Sequence, residues 1–326
     1  MFFDIKEFVF VCYASVIPER LTMPLRLVLF SVLGFFSTSV LAAEPLMTIS
    51  VGSNPESVCR GFDGKLFVTL INGEEPGDGT IVRLDGDDQK TITVFAKGFN
   101  APKGLVFVDK YLITADETTV WKIASDGKTT RLATKEQFPS PIEFLNDVVV
   151  SRDQKSVYVS EMSNPGPMFD PSGERKLWDV DGSEAMALPR KGCVYRIDLD
   201  GNISVAIPAG DVALRFPNGL AVGGRDEERL FVGDFFTGNI LTWRDGKYRV
   251  VAEGVRGLDG LAVGRGVFYA SSWTQGKVWR IDRKTKEMKV IREGMKTAAD
   301  FYLDVDKKQL IIPDMLAGTL TFLPIE

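Results

Sequence analysis

Histidine is missing from this chain of 326 residues. Its absence removes the commonest general base and the commonest metal ligand together. Serine–histidine and cysteine–histidine machinery is therefore excluded. Acid–base chemistry is left to carboxylates, lysine, tyrosine or metal-bound water. Any metal site would use mainly oxygen donors, which favours calcium or magnesium over zinc or copper.

Cysteine is scarce, with only Cys12, Cys59 and Cys193. The last two fall in separate, non-adjacent repeats described below, so free buried thiols are expected rather than a disulfide. A basic excess is also lacking, the net charge being −5. That leaves no electrostatic footprint for nucleic acid and no charged tail. Helical periodicity is lacking after Ala43. One apolar run, MPLRLVLFSVLGFFSTSVLAAEP from Met23, starts with Arg26 and ends in Ala42 and Ala43. This pattern predicts a signal peptide over 23–43, a periplasmic or secreted protein, and no stable membrane span after processing. Residues 1–22 read as an over-extended start upstream of Met23.

What the chain does contain is a repeat. FPNGLAV at 216–222 returns as GLDGLAV at 257–263. Four relatives complete the set: NPESVCRGFDGKLFVTLI, APKGLVFVDKYLITAD, FLNDVVVSRDQKSVYVSEM and AADFYLDVDKKQLIIPDM. Each copy pairs two short apolar segments across a polar turn. Two further β-rich segments follow in most copies, such as GTIVRLD and TITVFAKG. Alternating apolar residues, β-branched side chains and Gly/Asp turns mark strands. Six units of four strands predict an all-β fold, a six-bladed β-propeller over 44–326. The sixth copy stops one strand short. PLMTISVG at 45–52 resembles the missing strand and is expected to close the last blade. An insertion at 163–191, rich in Pro, Gly and charge but carrying Phe169 and Trp178, interrupts the third copy. It is expected to lie as a lid over one face.

The position just before each first-strand core reads Glu56, Lys103, Asn146, Asn218, Asp259 and Asp300. All six are polar, at spacings of 47, 43, 72, 41 and 41 residues. The next position has no such pattern: Ser57, Gly104, Asp147, Gly219, Gly260 and Phe301. Innermost strands begin near a propeller's channel, so the six converge. Carboxylate and amide oxygens meeting at one point suit calcium. A channel merely lined with water is the other reading of the same ring. Lys103 is expected to offset Asp300 or to face substrate.

These phrases resemble the senescence marker protein / gluconolactonase / luciferin-regenerating (regucalcin-like) family. The residues carrying the resemblance are Glu56 in NPESV, Asn146 and Asp147 in LNDVVVS, Asn218 in FPNGLAV and Asp259 in GLDGLAV. The resemblance implies a six-bladed propeller with one divalent cation in the channel. It implies Glu56, Asn146, Asn218 and Asp259 as metal ligands, with Mg2+, Mn2+ or Zn2+ as alternatives to Ca2+. It also implies Asp259 as the acid–base residue, assisted by Glu56 and Lys103, with Asn146, Phe144 and Lys103 toward substrate. Asp300 and Asp147 are second-rank. Phe144 stands where the family's sugar-lactone hydrolases often carry arginine, and Gly-Glu-Gly-Pro is reduced to NPES. Both departures count against aldonolactones and favour a more hydrophobic lactone or ester. Phe144, Phe235, Phe236 and Trp273 are candidate walls, and blade-to-blade packing is the other reading of those aromatics.

Two further functions compete with a lactonase-like hydrolase. One is a non-catalytic exported propeller that binds a ligand or partner around a structural calcium. The other is an NHL-like scaffold, for which no outer-face cluster is visible. The expected partner is a small molecule and the expected state a monomer. Asp116, Glu161, Asp234 and Asp314 end the second strands. They either line the channel mouth or cap turns through backbone bonds. Trp121, Trp243 and Trp279 in the third strands read as inter-blade packing.

Overall fold

The computed structural model describes residues 45–325 apart from 46, 87–89, 225–227 and 245. Cys12, the segment 1–22 and the expected signal peptide at 23–43 lie outside the described residues. Six antiparallel sheets of four strands make up the six-bladed propeller. Blades 1 to 5 begin with the inner strands Pro55–Arg60, Pro102–Val108, Leu145–Val150, Pro217–Gly223 and Leu258–Val263. Blade 6 begins with Tyr302–Asp304 and continues through Gln309–Asp314 and Thr319–Pro324. Its outer strand is Met47–Ser50, with Met47 opposite Phe322 and Ser50 opposite Thr319. The first described strand therefore closes the last blade, as the truncated sixth repeat requires. Pairing with Thr319–Pro324 covers the edge that this third strand of blade 6 would otherwise leave open.

Burial follows strand position. Second strands such as LFVTL at 66–70 and SVYVSE at 156–161 are buried throughout. Neighbouring blades cover both of their faces, so apolar residues fill successive positions, as in Leu66–Val68 and Val157–Val159, and the polar members are buried with them. Fourth strands lie at the rim, and Thr91–Phe99 exposes Thr91, Thr93, Val94 and Lys97. The core is a set of seams between blades. Phe67, Ile81 and Phe99 of blade 1 pack on Leu105, Leu112 and Ile123 of blade 2. At the closing seam, Ile311, Leu320 and Phe322 meet Val58, Val68 and Leu84. Each such fully buried side chain contributes about 1.5–3 kcal/mol. Trp121 stacks edge-on against Phe99, and Trp279 sits in the seam of blades 4 and 5. Cys59 and Cys193 are free and buried. Burial pushes the Cys193 thiol up to about 11.

The insertion is packed on the propeller. It holds the one α-helix among the described residues, Ser183–Ala187, which is too short to leave a periodic signature. Phe169 pairs with Leu177 across a small hairpin. Met168, Ala185 and Leu188 are buried in a cluster with Phe216, Phe235 and Phe236. Two arginines fasten its backbone: Arg215 donates to the Ala185 carbonyl at 2.5 Å and Arg256 to that of Trp178 at 2.7 Å.

Candidate active site

Every blade carries the same irregularity at its inner strand. Between the pairs Pro55/Leu70 and Val58/Val68, three steps on the inner strand match two on its partner. The same extra residue falls at 102–105, 145–148, 217–220 and 258–261. In blade 6 the bridge Ala298/Asp314 gives way to the pair Tyr302/Ile311, again one residue out of step. The bulge sits at the polar position of each repeat and the residue after it, as at 56–57, 146–147 and 259–260. Bulges bend the strand and re-aim a side chain. Here they turn one polar residue per blade inward.

Second-strand hydroxyls satisfy the bulged backbone. Thr69 accepts from Ser57 N, Ser160 from Asp147 N and Ser271 from Gly260 N, at 2.8–2.9 Å. The glycines after the polar position serve close approach. A Cβ on Gly219 would stand 2.2 Å from the Asp259 carbonyl, and one on Gly104 2.5 Å from Val148 N. Neither has a positive φ, so the requirement is space.

The ring splits into two levels. Glu56, Lys103 and Asp259 line one cavity of about 330 Å³. Asn146 and Asn218 are buried. Asn218 Nδ2 donates to Asp259 Oδ1 at 2.8 Å. Lys103 Nζ donates to the Ala101 carbonyl at 2.9 Å and lies 4.3 Å from the centre of the Phe144 ring. Asp147 and Asp300 instead line a separate depression of about 570 Å³, whose lining shares none of those three residues. They act as staples between blades. Asp147 accepts from Leu220 N at 2.6 Å, and Asp300 accepts from Ser57 Oγ at 2.6 Å.

Burial and mutual repulsion disfavour charge on the ring's carboxylates, and Lys103 opposes this in part. Burial raises the Glu56 carboxyl far above its usual range, and repulsion from Asp259 and Asp300 adds to it. Burial, then repulsion from Asp300, pushes Asp259 up to about 8. Burial lowers the Lys103 ammonium, and the charge of Glu56 opposes that. Three buried oxygens in the ring have no hydrogen-bond partner: Glu56 Oε2, Asn146 Oδ1 and Asn218 Oδ1. Buried polar atoms are ordinarily satisfied, so three orphans in one ring need an explanation. Among the described residues no three His, Cys, Asp or Glu side chains are grouped as a metal site. This set instead mixes two carboxylates with two amides. Its all-oxygen chemistry fits a hard divalent cation such as calcium.

The cavity above the ring has apolar walls. Phe144, Phe235 and Trp273 line it, together with Pro165, Met168 and Phe169 of the insertion. Phe236 does not; it is fully buried behind, tilted against Phe216. Ile71, Met162 and Met315 also line the cavity and were not among the sequence candidates. A signal for them exists. Each is the first residue after a second strand, as are Phe235 and Trp273. The strand-ending acids Asp116, Glu161, Asp234 and Asp314 are turn caps. Asp234 accepts from the Arg215 and Phe216 amides at 2.6 and 2.7 Å, and Glu161 from those of Glu143 and Phe144. Such bonds pin the connection that leads into each inner strand.

A six-bladed propeller with an oxygen-lined centre under an apolar cavity defines the class. The chain belongs to the SMP-30/gluconolactonase/LRE-like family, whose model matches residues 79–312. A gluconolactonase from Xanthomonas campestris aligns over 88% of this chain and 99% of its own, with 20% identity and a TM-score of 0.56. A candidate gluconolactonase aligns over 87% and 92%, with 15% identity and a TM-score of 0.61. The nidogen/laminin complex also contains a similar fold, at 14% identity, 74% and 81% coverage and a TM-score of 0.55. Identities this low speak to the fold alone. Comparison with curated protein sequences gives no significant match.

Proposed function

We propose that this protein hydrolyses a lactone or related carboxylic ester with the help of a calcium ion. Glu56, Asn146, Asn218 and Asp259 would hold the ion. The observation that carries this reading is the trio of orphaned buried oxygens on Glu56, Asn146 and Asn218. A purely structural pin would be enclosed by protein, whereas Glu56 and Asp259 border a cavity large enough for a small molecule. When bound, the cation supplies Lewis-acid polarisation of the carbonyl oxygen.

The chain's own residues supply the rest. The Asp259 carboxylate, kept charged by the bound cation, takes a proton from water as the water oxygen adds to the carbonyl carbon. The acyl C–O bond then breaks, and the proton passes to the departing alkoxide oxygen. For a lactone the product is one hydroxy acid, which releases a proton to solvent. Lys103 Nζ adds positive charge beside the developing oxyanion, held by Ala101 and the Phe144 face. Pro165, Met168 and Phe169 of the insertion add apolar wall beside these groups. The leader-like segment 23–43 supports a periplasmic or secreted setting, and the protein is read as a monomer.

The test is hydrolysis of lactones and aryl esters after metal stripping, with and without added calcium. Turnover restored by calcium and abolished in Asp259→Ala supports the proposal. Calcium binding without turnover across the panel would refute the hydrolase and leave a ligand-binding propeller.

A further inference from the structure

Five blades contribute the same kind of residue to the cavity wall. The residue directly after the second strand is Ile71, Met162, Phe235, Trp273 or Met315 in blades 1, 3, 4, 5 and 6. All five are apolar. Blade 2 alone breaks the series, with the exposed Glu117. A repeat-encoded apolar collar thus stands above the repeat-encoded polar ring. The insertion extends it. Phe169 sits 6.3 Å, centre to centre, from both Phe235 and Trp273. Arg175 lies over the outer part of the wall, 5.7 Å from the Trp273 ring. Among the described residues lining the cavity, the only charged side chains are Glu56, Lys103 and Asp259, and the Trp273 indole N–H is directed to Met315 Sδ at 3.2 Å.

We infer that this collar is a subsite for a large apolar group, so that the substrate is a lactone or ester bearing an alkyl or aryl substituent. The inference rests on the hydrolase reading for the identity of the reacting group. A polyhydroxylated sugar lactone would place several hydroxyls against Phe169, Met168, Phe235 and Met315 with no side-chain partner. One added hydroxyl costs a hydrophobic pocket up to about a hundredfold in discrimination, and several compound. An alkyl chain has the opposite balance. Each methylene removed from water favours binding by about fourfold until the cavity is full. Phe169 and Met315 determine the specificity of this subsite. They approach the cavity from the insertion and from blade 6, and both are only partly buried.

The experiment measures kcat/KM on the calcium-loaded full chain for γ-lactones of increasing alkyl length and for gluconolactone. In parallel, calorimetry measures binding of γ-lactams carrying the same chains, which resist hydrolysis. The expected result is a stepwise rise of about fourfold per methylene in both series, with gluconolactone at least a hundredfold below the longest lactone. Phe169→Ser and Met315→Ser should each flatten the slope, and Phe169→Leu should restore it. Lactam affinity that climbs with chain length, without turnover of any lactone, would uphold the subsite while refuting the hydrolase. Short lactones hydrolysed with no dependence on chain length, or gluconolactone as the fastest substrate, would overturn the inference and leave the hydrolase standing.

Discussion

The side-chain amide of Asn218 donates to the Asp259 carboxylate at 2.8 Å. Two copies of one phrase, FPNGLAV and GLDGLAV, therefore meet at the polar position where they differ. The difference has a physical reason. Two aspartates there would repel each other in a buried setting, and two asparagines would bring no charge. With its nitrogen engaged by Asp259, Asn218 is left with Oδ1 unpartnered, as are Glu56 Oε2 and Asn146 Oδ1. Gly219 lets the two strands approach closely enough for the bond, since a Cβ there would strike the Asp259 carbonyl.

Asp259→Asn should separate stability from activity. Asp259 is raised from 3.8 to about 8, first by burial and then by Asp300. A raised carboxyl favours the fold fully below its unfolded value, and that contribution is lost as pH climbs toward 8. The metal-free wild type should therefore weaken from pH 4 to pH 8, and Asp259→Asn should flatten part of that slope. Urea midpoints across this range, without calcium, read the effect. Hydrolysis should fall by about 10²–10⁴ in the same variant. A metal-free variant less stable than wild type at pH 7 would contradict the account.

Calcium should stabilise the folded chain through the orphaned oxygens. At a hundred times its dissociation constant, a ligand specific to the fold adds about 2.7 kcal/mol. For a domain of this size that is on the order of 5 °C in Tm. Asn218→Ala and Glu56→Gln should each shrink the calcium-induced shift by more than half. Identical melting with calcium and with chelator would reduce the ring to hydrated channel lining.

Much of this was legible because the fold repeats. Six copies fixed the blade count, the closing strand and the inward positions, since one register applied to all. The same register contained the collar, but Met162 and Ile71 are apolar residues of the kind that fill cores, and neither carries a group that marks a site. Position alone could not separate Asp300 from Asp259. Both occupy the same column, yet Asp300 precedes its strand and bonds Ser57, while Asp259 lies within its strand and faces the other cavity. The insertion matches no repeat, so nothing in the sequence set Phe169 against Phe235 and Trp273.

The turn-capping acids should prove structural. Asp234 accepts from three backbone amides, those of Arg215, Phe216 and Thr237, and from the Thr237 hydroxyl. Asp234→Ala would leave buried donors unsatisfied, at about 1–3 kcal/mol each. We expect a loss of about 3–5 kcal/mol in urea unfolding and a smaller one for Asp234→Asn, which keeps one oxygen. Loss of activity in Asp234→Asn without loss of stability would instead place this residue at the channel mouth.

Glu143 should govern the insertion alone. Its carboxylate accepts from Ser163 Oγ at 2.7 Å and Asn164 N at 2.9 Å where the insertion begins, and from Lys191 Nζ at 2.8 Å where it ends. The Lys191 bond, then those of Ser163 and Asn164, hold Glu143 at about 2. A depressed carboxyl stabilises fully above its unfolded value of 4.5, and the benefit is lost as pH falls toward 2. Glu143 and Lys191 are both exposed, so solvent screening limits the pair to about 1 kcal/mol or less. Glu143→Ala should thus leave the urea midpoint nearly unchanged at pH 7. Amide exchange across 164–191 should accelerate several-fold, with the blades unaffected. Wild type should lose the same local protection between pH 4.5 and pH 2, once exchange is corrected for its intrinsic pH dependence. Equal exchange in variant and wild type would mean that Met168, Ala185 and Leu188, with Arg215 and Arg256, hold the insertion without the latch.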